Sequence, residues 1–240
     1  MARAFLLPPV VFFDAVGTLI HPEPPAPTVY AAIGQRFGSR LDEATIVARF
    51  RVAFRRQEEA DYASGLRTDE VREVARWRAV VAEVLDDVTD GETCFQELYA
   101  HFAQADSWRC TPDTAEVLDT LTLRGHVLGI ASNFDQRLRG LVESLPPLQS
   151  IRHLVISSEI GWRKPASAFF AMMCRCADAS AEKILYVGDD LINDFEGART
   201  AGMRAVLVDP HRCTTIPPEY LINTLRDLTL SPNTPRDESC

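Results

Sequence analysis

The stretch Val-Val-Phe-Phe-Asp-Ala-Val-Gly-Thr-Leu-Ile, residues 10–20, decides how this chain is expected to fold. Its first four residues are apolar and either β-branched or aromatic, which predicts a short strand buried on both faces. Asp14 stands where that strand ends, and Gly17 and Thr18 then allow the chain to turn. Ligands bind at the carboxyl ends of strands in α/β sheets, so Asp14 is a candidate nucleophile, metal ligand or both. A turn-capping role for Asp14 is the alternative at this point.

Alternating strand and helix patterns fill the second half of the chain. Strands are predicted at 126–131, 153–156, 184–187 and 204–208, and helical segments separate them. Such alternation is typical of a parallel sheet that helices cover on both faces. The predicted fold class is therefore α/β, with a Rossmann-like, doubly wound parallel sheet as the core.

A different pattern occupies residues 21–108. Four prolines within 21–27 exclude a helix or a central strand there and indicate a stiff connector. Four segments with apolar residues at helical spacing follow, at 27–37, 42–60, 69–86 and 93–104, without a strand signal. We expect a four-helix cap domain at 21–108, inserted into an α/β core domain made of 1–20 and 109–240.

Composition limits the partners and the compartment of the protein. The 240 residues are 46% hydrophobic and carry a net charge of -9, which argues against a nucleic acid or an acidic membrane as partner. No apolar run approaches the ~20 residues that span a bilayer, and Pro8 and Pro9 interrupt the only stretch resembling a signal peptide. The six cysteines are scattered, which predicts reduced, mostly buried thiols. We expect a cytoplasmic protein, either a monomer or a homodimer.

Polar residues follow the predicted strands at several points. Asp14 follows the first strand, Ser132 and Asn133 follow the second, and Lys164 precedes a helix. Asp189, Asp190 and Asp194 follow the strand at 184–187. A parallel sheet brings such strand ends together, and converging carboxylates repel one another unless a cation lies among them. All-oxygen ligation favours Mg²⁺, while Ser132 and Lys164 suit an anion such as a phosphoryl group.

Four short motifs stand at these positions in a fixed order. They are Phe-Asp-Ala-Val-Gly-Thr-Leu at 13–19, Ser-Asn at 132–133, Arg-Lys-Pro at 163–165 and Gly-Asp-Asp-Leu-Ile-Asn-Asp at 188–194. In this order and spacing they resemble the motifs of the haloacid dehalogenase (HAD) superfamily of hydrolases, over nearly the whole chain. The helical segment 21–108 lies between the first and second motifs, where that superfamily carries its small cap domain.

The resemblance implies a nucleophile and a metal site. Asp14 would form an aspartyl intermediate and also bind Mg²⁺. The backbone carbonyl of Val16 and the carboxylate of Asp189 would be further ligands, and Asp194 would orient the waters of the metal.

The resemblance also implies an anion site for the group that is transferred. Ser132 and Lys164 would hold that group, and Lys164 would in addition neutralise Asp14. Asn133 would either assist in substrate binding or only shape the turn after its strand.

Val16 departs from the pattern of the phosphatases in this superfamily. They usually carry a second Asp two residues after the nucleophile, which protonates the leaving group and then activates water. Such general acid–base help is worth about 10²–10⁴ in rate. The chain is therefore a slow phosphatase or one restricted to good leaving groups, an enzyme with different chemistry, or a protein that has stopped being an enzyme. His21, just past the first motif, is a candidate substitute for the missing acid.

Two other activities of the superfamily fit the sequence less well. The 2-haloacid dehalogenases also lack the second Asp, but they use no metal and do not need Asp189 and Asp194. The phosphonate hydrolases use a cap lysine, and residues 21–108 contain no lysine. We therefore expect a Mg²⁺-dependent phosphatase acting on a small phosphorylated metabolite. The main alternative is a non-catalytic module that binds a phospho-ligand or a protein.

Overall fold

Six parallel strands form the central sheet of the computed structural model, which describes residues 7–230. The sheet has the order β5-β4-β1-β6-β7-β8, and a separate antiparallel pair joins β2 to β3. The strand bounds are β1 Val10–Phe13, β2 Ile20–Pro22, β3 Trp108–Cys110, β4 Val127–Ser132, β5 His153–Ile156, β6 Ile184–Gly188, β7 Arg204–Val208 and β8 Leu221–Ile222. The prediction of an α/β, doubly wound parallel sheet is confirmed.

Helices cover both faces of this sheet and also form the inserted segment. Their bounds are α1 Ala26–Arg36, α2 Glu43–Ala63, α3 Glu70–Val84, α4 Gly91–His101, α5 Thr114–Leu123, α6 Arg137–Ser144, α7 Ser157–Ile160, α8 Ser167–Ala177 and α9 Gly197–Thr200. A π-helical segment, Leu191–Glu196, leads directly into α9. The helix expected at 191–201 therefore begins with a wider turn, and the one expected at 134–145 begins only at Arg137.

The central strand β1 explains why the sheet needs two layers of helices. Val11 and Phe13 point into the core on the side of α5 and α6. Val10 and Phe12 belong to the opposite core, together with Phe169 of α8. All four β1 residues are buried, so apolar side chains on both faces drive the sheet into the middle of the core.

The segment between β2 and β3 has an apolar core of its own. Side chains from α1, α2, α3 and α4 pack together in it, including Tyr30, Ile46, Val80 and Leu98. Asp42, Asp69 and Asp90 cap the N-termini of α2, α3 and α4 by accepting hydrogen bonds from backbone N–H groups. Caps of this kind contribute about 1 kcal/mol each. These observations support our proposal that 21–108 is a four-helix cap domain and that 1–20 and 109–240 form the core domain.

The proline-rich connector predicted after residue 20 is partly a strand. Ile20–Pro22 pairs with Trp108–Cys110 in antiparallel register, with His21 opposite Arg109. A two-strand ribbon tolerates a proline that a central strand would not, because its outer edge needs no N–H donor. The expectation of a segment without strands was therefore wrong at its two ends.

Five cysteines lie within the described residues, and all are free thiols. Cys94 is buried, Cys110 and Cys174 are intermediate, and Cys176 and Cys213 are exposed, so the expectation that most are buried was wrong. Cys240 and residues 1–6 lie outside the described residues. Among the helices of residues 7–230, none combines the length and apolar character that crossing a membrane requires.

Candidate active site

The carboxyl ends of three neighbouring strands carry the predicted polar residues. Asp14 follows β1, Ser132 ends β4 and Asp189 follows β6. Because β4, β1 and β6 are adjacent and parallel, their carboxyl ends lie side by side. The N–H of Asp14 donates to the carbonyl of Val187 at 2.8 Å, which extends the β1–β6 pairing up to the carboxylate.

The side chain of Lys164 lies among the polar residues at this edge of the sheet. Its Nζ lies 2.7 Å from Oδ1 of Asp14, 2.6 Å from Oδ1 of Asp194 and 2.8 Å from the hydroxyl of Tyr186. These contacts use all three N–H donors of the ammonium group. Lys164 is almost fully buried, so its charge depends on the two carboxylates beside it.

Burial and charge act against each other on these groups. Burial would lower the pKa of the Lys164 ammonium, but the charges of Asp14 and Asp194 outweigh it and the pKa is raised. Burial also raises the pKa of Tyr186 well above its usual value, and the charge of Asp194 adds to this. Tyr186 is therefore a neutral phenol that donates to the carbonyl of Ala131 at 2.5 Å while accepting from Lys164.

Asn133 fixes the loop that presents Lys164. Its Oδ1 accepts from the backbone N–H of Lys164 at 2.7 Å, and its Nδ2 donates to the carbonyl of the same residue at 3.1 Å. The Asn133 side chain thus forms hydrogen bonds with both the N–H and the carbonyl of Lys164, as a residue of a neighbouring strand would. Its contacts in this structure are with the protein backbone, in keeping with the turn-shaping alternative.

A cavity of about 210 Å³, here called the polar cavity, opens over this edge of the sheet. Its walls also include residues of α2 and of the loop after it, such as Phe54, Glu58 and Asp61. The structure brings the residues assigned from the sequence to catalysis, substrate binding and metal binding to this one cavity: Asp14, Val16, Ser132, Asn133, Lys164, Asp189 and Asp194.

Three carboxylates in the polar cavity can share a cation. Oxygen atoms of Asp14, Asp189 and Asp194 all lie within 4.8 Å of one another. The hydroxyl of Thr18 donates to Oδ1 of Asp189 at 2.9 Å, which orients that side chain. Partial loss of hydration beside neighbouring protein atoms and the charge of Asp14 raise the pKa of Asp189 to about 6, although the residue as a whole is exposed. This all-oxygen donor set fits Mg²⁺.

Two glycines let the backbone approach these carboxylates. A Cβ atom on Gly17 would lie 2.3 Å from Oδ2 of Asp189, and one on Gly188 would lie 2.2 Å from Oδ2 of Asp194. Gly17 also has a φ of +90°, in the region that favours glycine. Both positions therefore require glycine for the carboxylate cluster to form.

Two other candidates from the sequence have less direct positions, although Asp190 also lines the polar cavity. Asp190 caps the π-helical segment by accepting from the N–H groups of Ile192 and Asn193, both at 2.8 Å. His21 lies in β2, 4.0 Å from Glu23, and is not part of the wall of the polar cavity. These positions give His21 no direct way to replace the missing acid.

Sequence reasoning missed two features of this site. Tyr186 looked like an ordinary strand aromatic, and its only signal is a hydroxyl group in an otherwise aliphatic strand. Arg163 reaches from the core to the helical insert, where it pairs with Asp61 at 3.3 Å and with Glu73. No local pattern could have indicated these pairs, because Glu73 lies 90 residues away in the chain.

The amino-acid sequence of this chain also matches a known protein family. The sequence model of the haloacid dehalogenase-like hydrolases matches residues 8–202. The chain belongs to this family. It is 27% identical over 228 residues to haloacid dehalogenase-like hydrolase domain-containing protein 3 of Xenopus laevis, which covers 91% of this chain and 93% of the relative. The predicted membership of the HAD superfamily is therefore confirmed.

Two further similarities show the range of activities among HAD proteins. A ribulose-1,5-bisphosphate 5-phosphatase of Halopiger xanaduensis is 33% identical over 100 residues, 41% of this chain and 42% of that protein. The solved structure of L-2-haloacid dehalogenase from Xanthobacter autotrophicus has a TM-score of 0.71 at 18% identity, covering 92% of this chain and 97% of that chain. The second similarity concerns the fold alone.

Proposed function

We propose that this HAD hydrolase is a Mg²⁺-dependent phosphatase that acts on a small phosphomonoester. The observation that carries the proposal is the Lys164 ammonium held between Asp14 and Asp194, with Asp189 completing a carboxylate cluster in the same cavity. A similarity to a named phosphatase over 100 residues supports the reaction class.

The charge of the polar cavity is the reason to include a metal ion. Six acidic residues and two basic ones, Arg163 and Lys164, line it. Both basic groups are already paired with carboxylates. A phosphate dianion would therefore be repelled unless a divalent cation bound first. Mg²⁺ bound by Asp14, Asp189 and the carbonyl of Val16, with Asp194 orienting its waters, would offset the charge of the phosphoryl oxygens.

In this proposal Asp14, Lys164 and Ser132 have different roles in catalysis. Asp14 attacks phosphorus in line and becomes the aspartyl phosphate. Lys164 orients the Asp14 carboxylate and offsets its charge. A direct contact from Lys164 to the phosphoryl group requires one of its three N–H donors to leave a protein oxygen. Ser132, buried at the end of β4, donates its hydroxyl to a phosphoryl oxygen.

Val16 stands where a general acid is expected, and it cannot donate a proton. Loss of such a group costs about 10²–10⁴ in rate for a poor leaving group. We expect turnover of aryl and acyl phosphates and slow turnover of alkyl phosphates. Val16→Asp should raise activity on alkyl phosphates, and equal rates for the variant and the parent protein would show that the missing acid does not limit the reaction.

The deciding experiment measures phosphate release from aryl and acyl phosphates with Mg²⁺ and with EDTA, beside Asp14→Asn. Turnover that requires Mg²⁺ and is lost in Asp14→Asn is the expected result. Absence of turnover, together with tight phosphate binding, would favour the non-catalytic binding module. Halide release from 2-haloacids in EDTA would instead identify a dehalogenase.

A further inference from the structure

A second cavity, here called the apolar cavity, adjoins the polar one. It has a volume of about 350 Å³, within the range of about 300–1,000 Å³ typical of small-molecule sites. Its walls come mainly from the four helices of the insert and include Tyr30, Phe50, Trp77, Phe95 and Trp108. It is therefore an aromatic-lined space between the helical insert and the core.

The two cavities share part of their lining. Val16, Phe54 and Asn133 line both of them. Val16 lies two residues after Asp14, and Asn133 directly follows Ser132, so the shared wall is at the point where the phosphoryl group would be held. A substrate with its phosphoryl group in the polar cavity must extend its leaving group towards one side, and the apolar cavity begins at that side.

The walls of the apolar cavity offer no free charge. Arg137 is the charged side chain among the wall residues described within 7–230, and Asp135 already accepts from its Nε and Nη2, both at 2.8 Å. The carbonyl of Tyr99 accepts from its Nη1 at 3.1 Å, and the guanidinium carbon lies 3.7 Å from the Tyr99 ring centroid. A carboxylate placed here would lose its water contacts without a free cation to compensate.

We propose that the apolar cavity binds the leaving group of the substrate, and that this group is an aromatic hydrocarbon ring system. The inference rests on the proposed phosphatase function and names the substrate class for it: aryl phosphates with little polar surface. Aromatic rings suit walls of Trp, Tyr and Phe, because edge-to-face contacts add to the burial of apolar area.

The chemistry at Val16 leads to the same substrate class. As the bond from Asp14 to phosphorus forms, the bond from phosphorus to the leaving oxygen breaks, and that oxygen keeps the electron pair. A phenolate has a conjugate acid with a pKa of about 10, as for Tyr, so it leaves without a donated proton and takes one from solvent later. A water then attacks phosphorus, the bond from phosphorus to the Asp14 oxygen breaks, and the carboxylate is restored while the protons of the water leave with inorganic phosphate. Val16 thus has two effects: it makes the shared wall apolar, and it restricts the enzyme to leaving groups that are stable as anions.

A comparison of two substrates separates the cavity from leaving-group activation. Acetyl phosphate is more activated than 2-naphthyl phosphate, but it has no ring to bury. We expect 2-naphthyl phosphate to be preferred by at least about ten-fold in kcat/KM, mainly through a lower KM. Equal values, or a preference for acetyl phosphate, would overturn the inference while leaving a phosphatase in place.

Substitutions in the apolar cavity test its role directly. Val81→Phe on α3 adds volume to its wall, and we expect kcat/KM for 2-naphthyl phosphate to fall by about ten-fold, with acetyl phosphate nearly unchanged. Tyr30→Phe is the matched control, because it keeps an aromatic wall of the same shape and should preserve the preference. Loss of activity on both substrates in Val81→Phe would contradict a role confined to the leaving group.

Binding of 2-naphthol, without metal or phosphate, gives a readout that does not depend on turnover or on a variant. Trp77 and Trp108 line the cavity, so bound naphthol should quench tryptophan fluorescence and raise the melting temperature of the parent protein. Naphthol binding without turnover of either ester would show that the cavity accepts an aromatic ring, but it would refute the phosphatase and with it the leaving-group role. No binding at millimolar naphthol, alongside turnover, would refute the cavity inference alone.

Discussion

Asp61 is the buried anion that joins the insert to the core of this HAD hydrolase, and its loss should destabilise the protein strongly. Its side chain accepts from Arg72 at 2.8 Å, from Arg163 at 3.3 Å and, in addition, from Arg76. Asp61 is 2% exposed and Arg76 is 1% exposed. Burial, aided by the nearby charge of Arg163, lowers the pKa of Arg76 to about 10, so this cation depends on Asp61 for its charged state.

The Asp61→Asn substitution keeps the shape of the side chain and removes its charge. It leaves two buried guanidinium groups without their shared anion, and breaking a buried ion pair from one side costs about 3–5 kcal/mol. A chain of this length loses about 2–4 °C of melting temperature per kcal/mol, so the expected shift is about 6–20 °C. Urea unfolding followed by circular dichroism measures the free energy, and calorimetry measures the temperature.

Asp86→Asn is the matched control for that experiment. Asp86 pairs with Arg49, but its side chain is 60% exposed. Exposed pairs contribute about 0.2–1 kcal/mol because water and salt screen them. Similar losses of unfolding free energy in the two variants, at equal denaturant dependence, would refute the assignment of Asp61 as the anion that supports this interface.

Three further predictions concern the carboxylate cluster. Gly188→Ala should abolish the proposed phosphatase activity, because the added Cβ would lie 2.2 Å from Oδ2 of Asp194. Gly140→Ala is the control, because its Cβ meets no atom within 4 Å, and it should leave the activity unchanged. Equal rates in the two variants would contradict this prediction. The pKa of Asp189 is raised to about 6, so its proton stabilises the folded state most below pH 4 and this contribution is lost as the pH rises through 6. Mg²⁺ should therefore raise the melting temperature more at pH 7.5 than at pH 5, and a pH-independent increase would argue against binding at this carboxylate. Tyr186→Phe should cost about 1–3 kcal/mol in urea unfolding, since it leaves a buried carbonyl and a buried ammonium each without one partner.

Local patterns were enough to predict the core of the fold. The four apolar residues of β1 defined a central strand, because only a strand covered on both faces can bury such a run. The polar residues after β1, β4 and β6 then had to meet, since parallel strands end at the same edge. The convergence of Asp14, Ser132 and Asp189 followed from topology and did not require knowledge of any distance.

Long-range pairings could not be predicted in the same way. The β2–β3 ribbon joins short segments, one of them containing a proline, that lie far apart in the chain, and neither has a strand pattern by itself. Arg163 stood in a recognised motif, but its contacts with Asp61 and Glu73 depend on how the insert packs on the core. The apolar cavity could not be predicted from the sequence either, because its aromatic residues show the same helical spacing as ordinary core residues.

The β2–β3 ribbon has a consequence for how proteins of this shape can vary. Pro22 lies opposite Trp108, so the chain leaves the sheet and returns to it at neighbouring points. A short hairpin turn could connect these two strands without any helix between them. The length and sequence of the insert can therefore change while the strand ends that carry Asp14 and Asp189 stay in place, provided that the new insert supplies a carboxylate for the buried Arg163. Hybrid proteins that combine this core with a different insert should keep the reaction and acquire a different choice of leaving group.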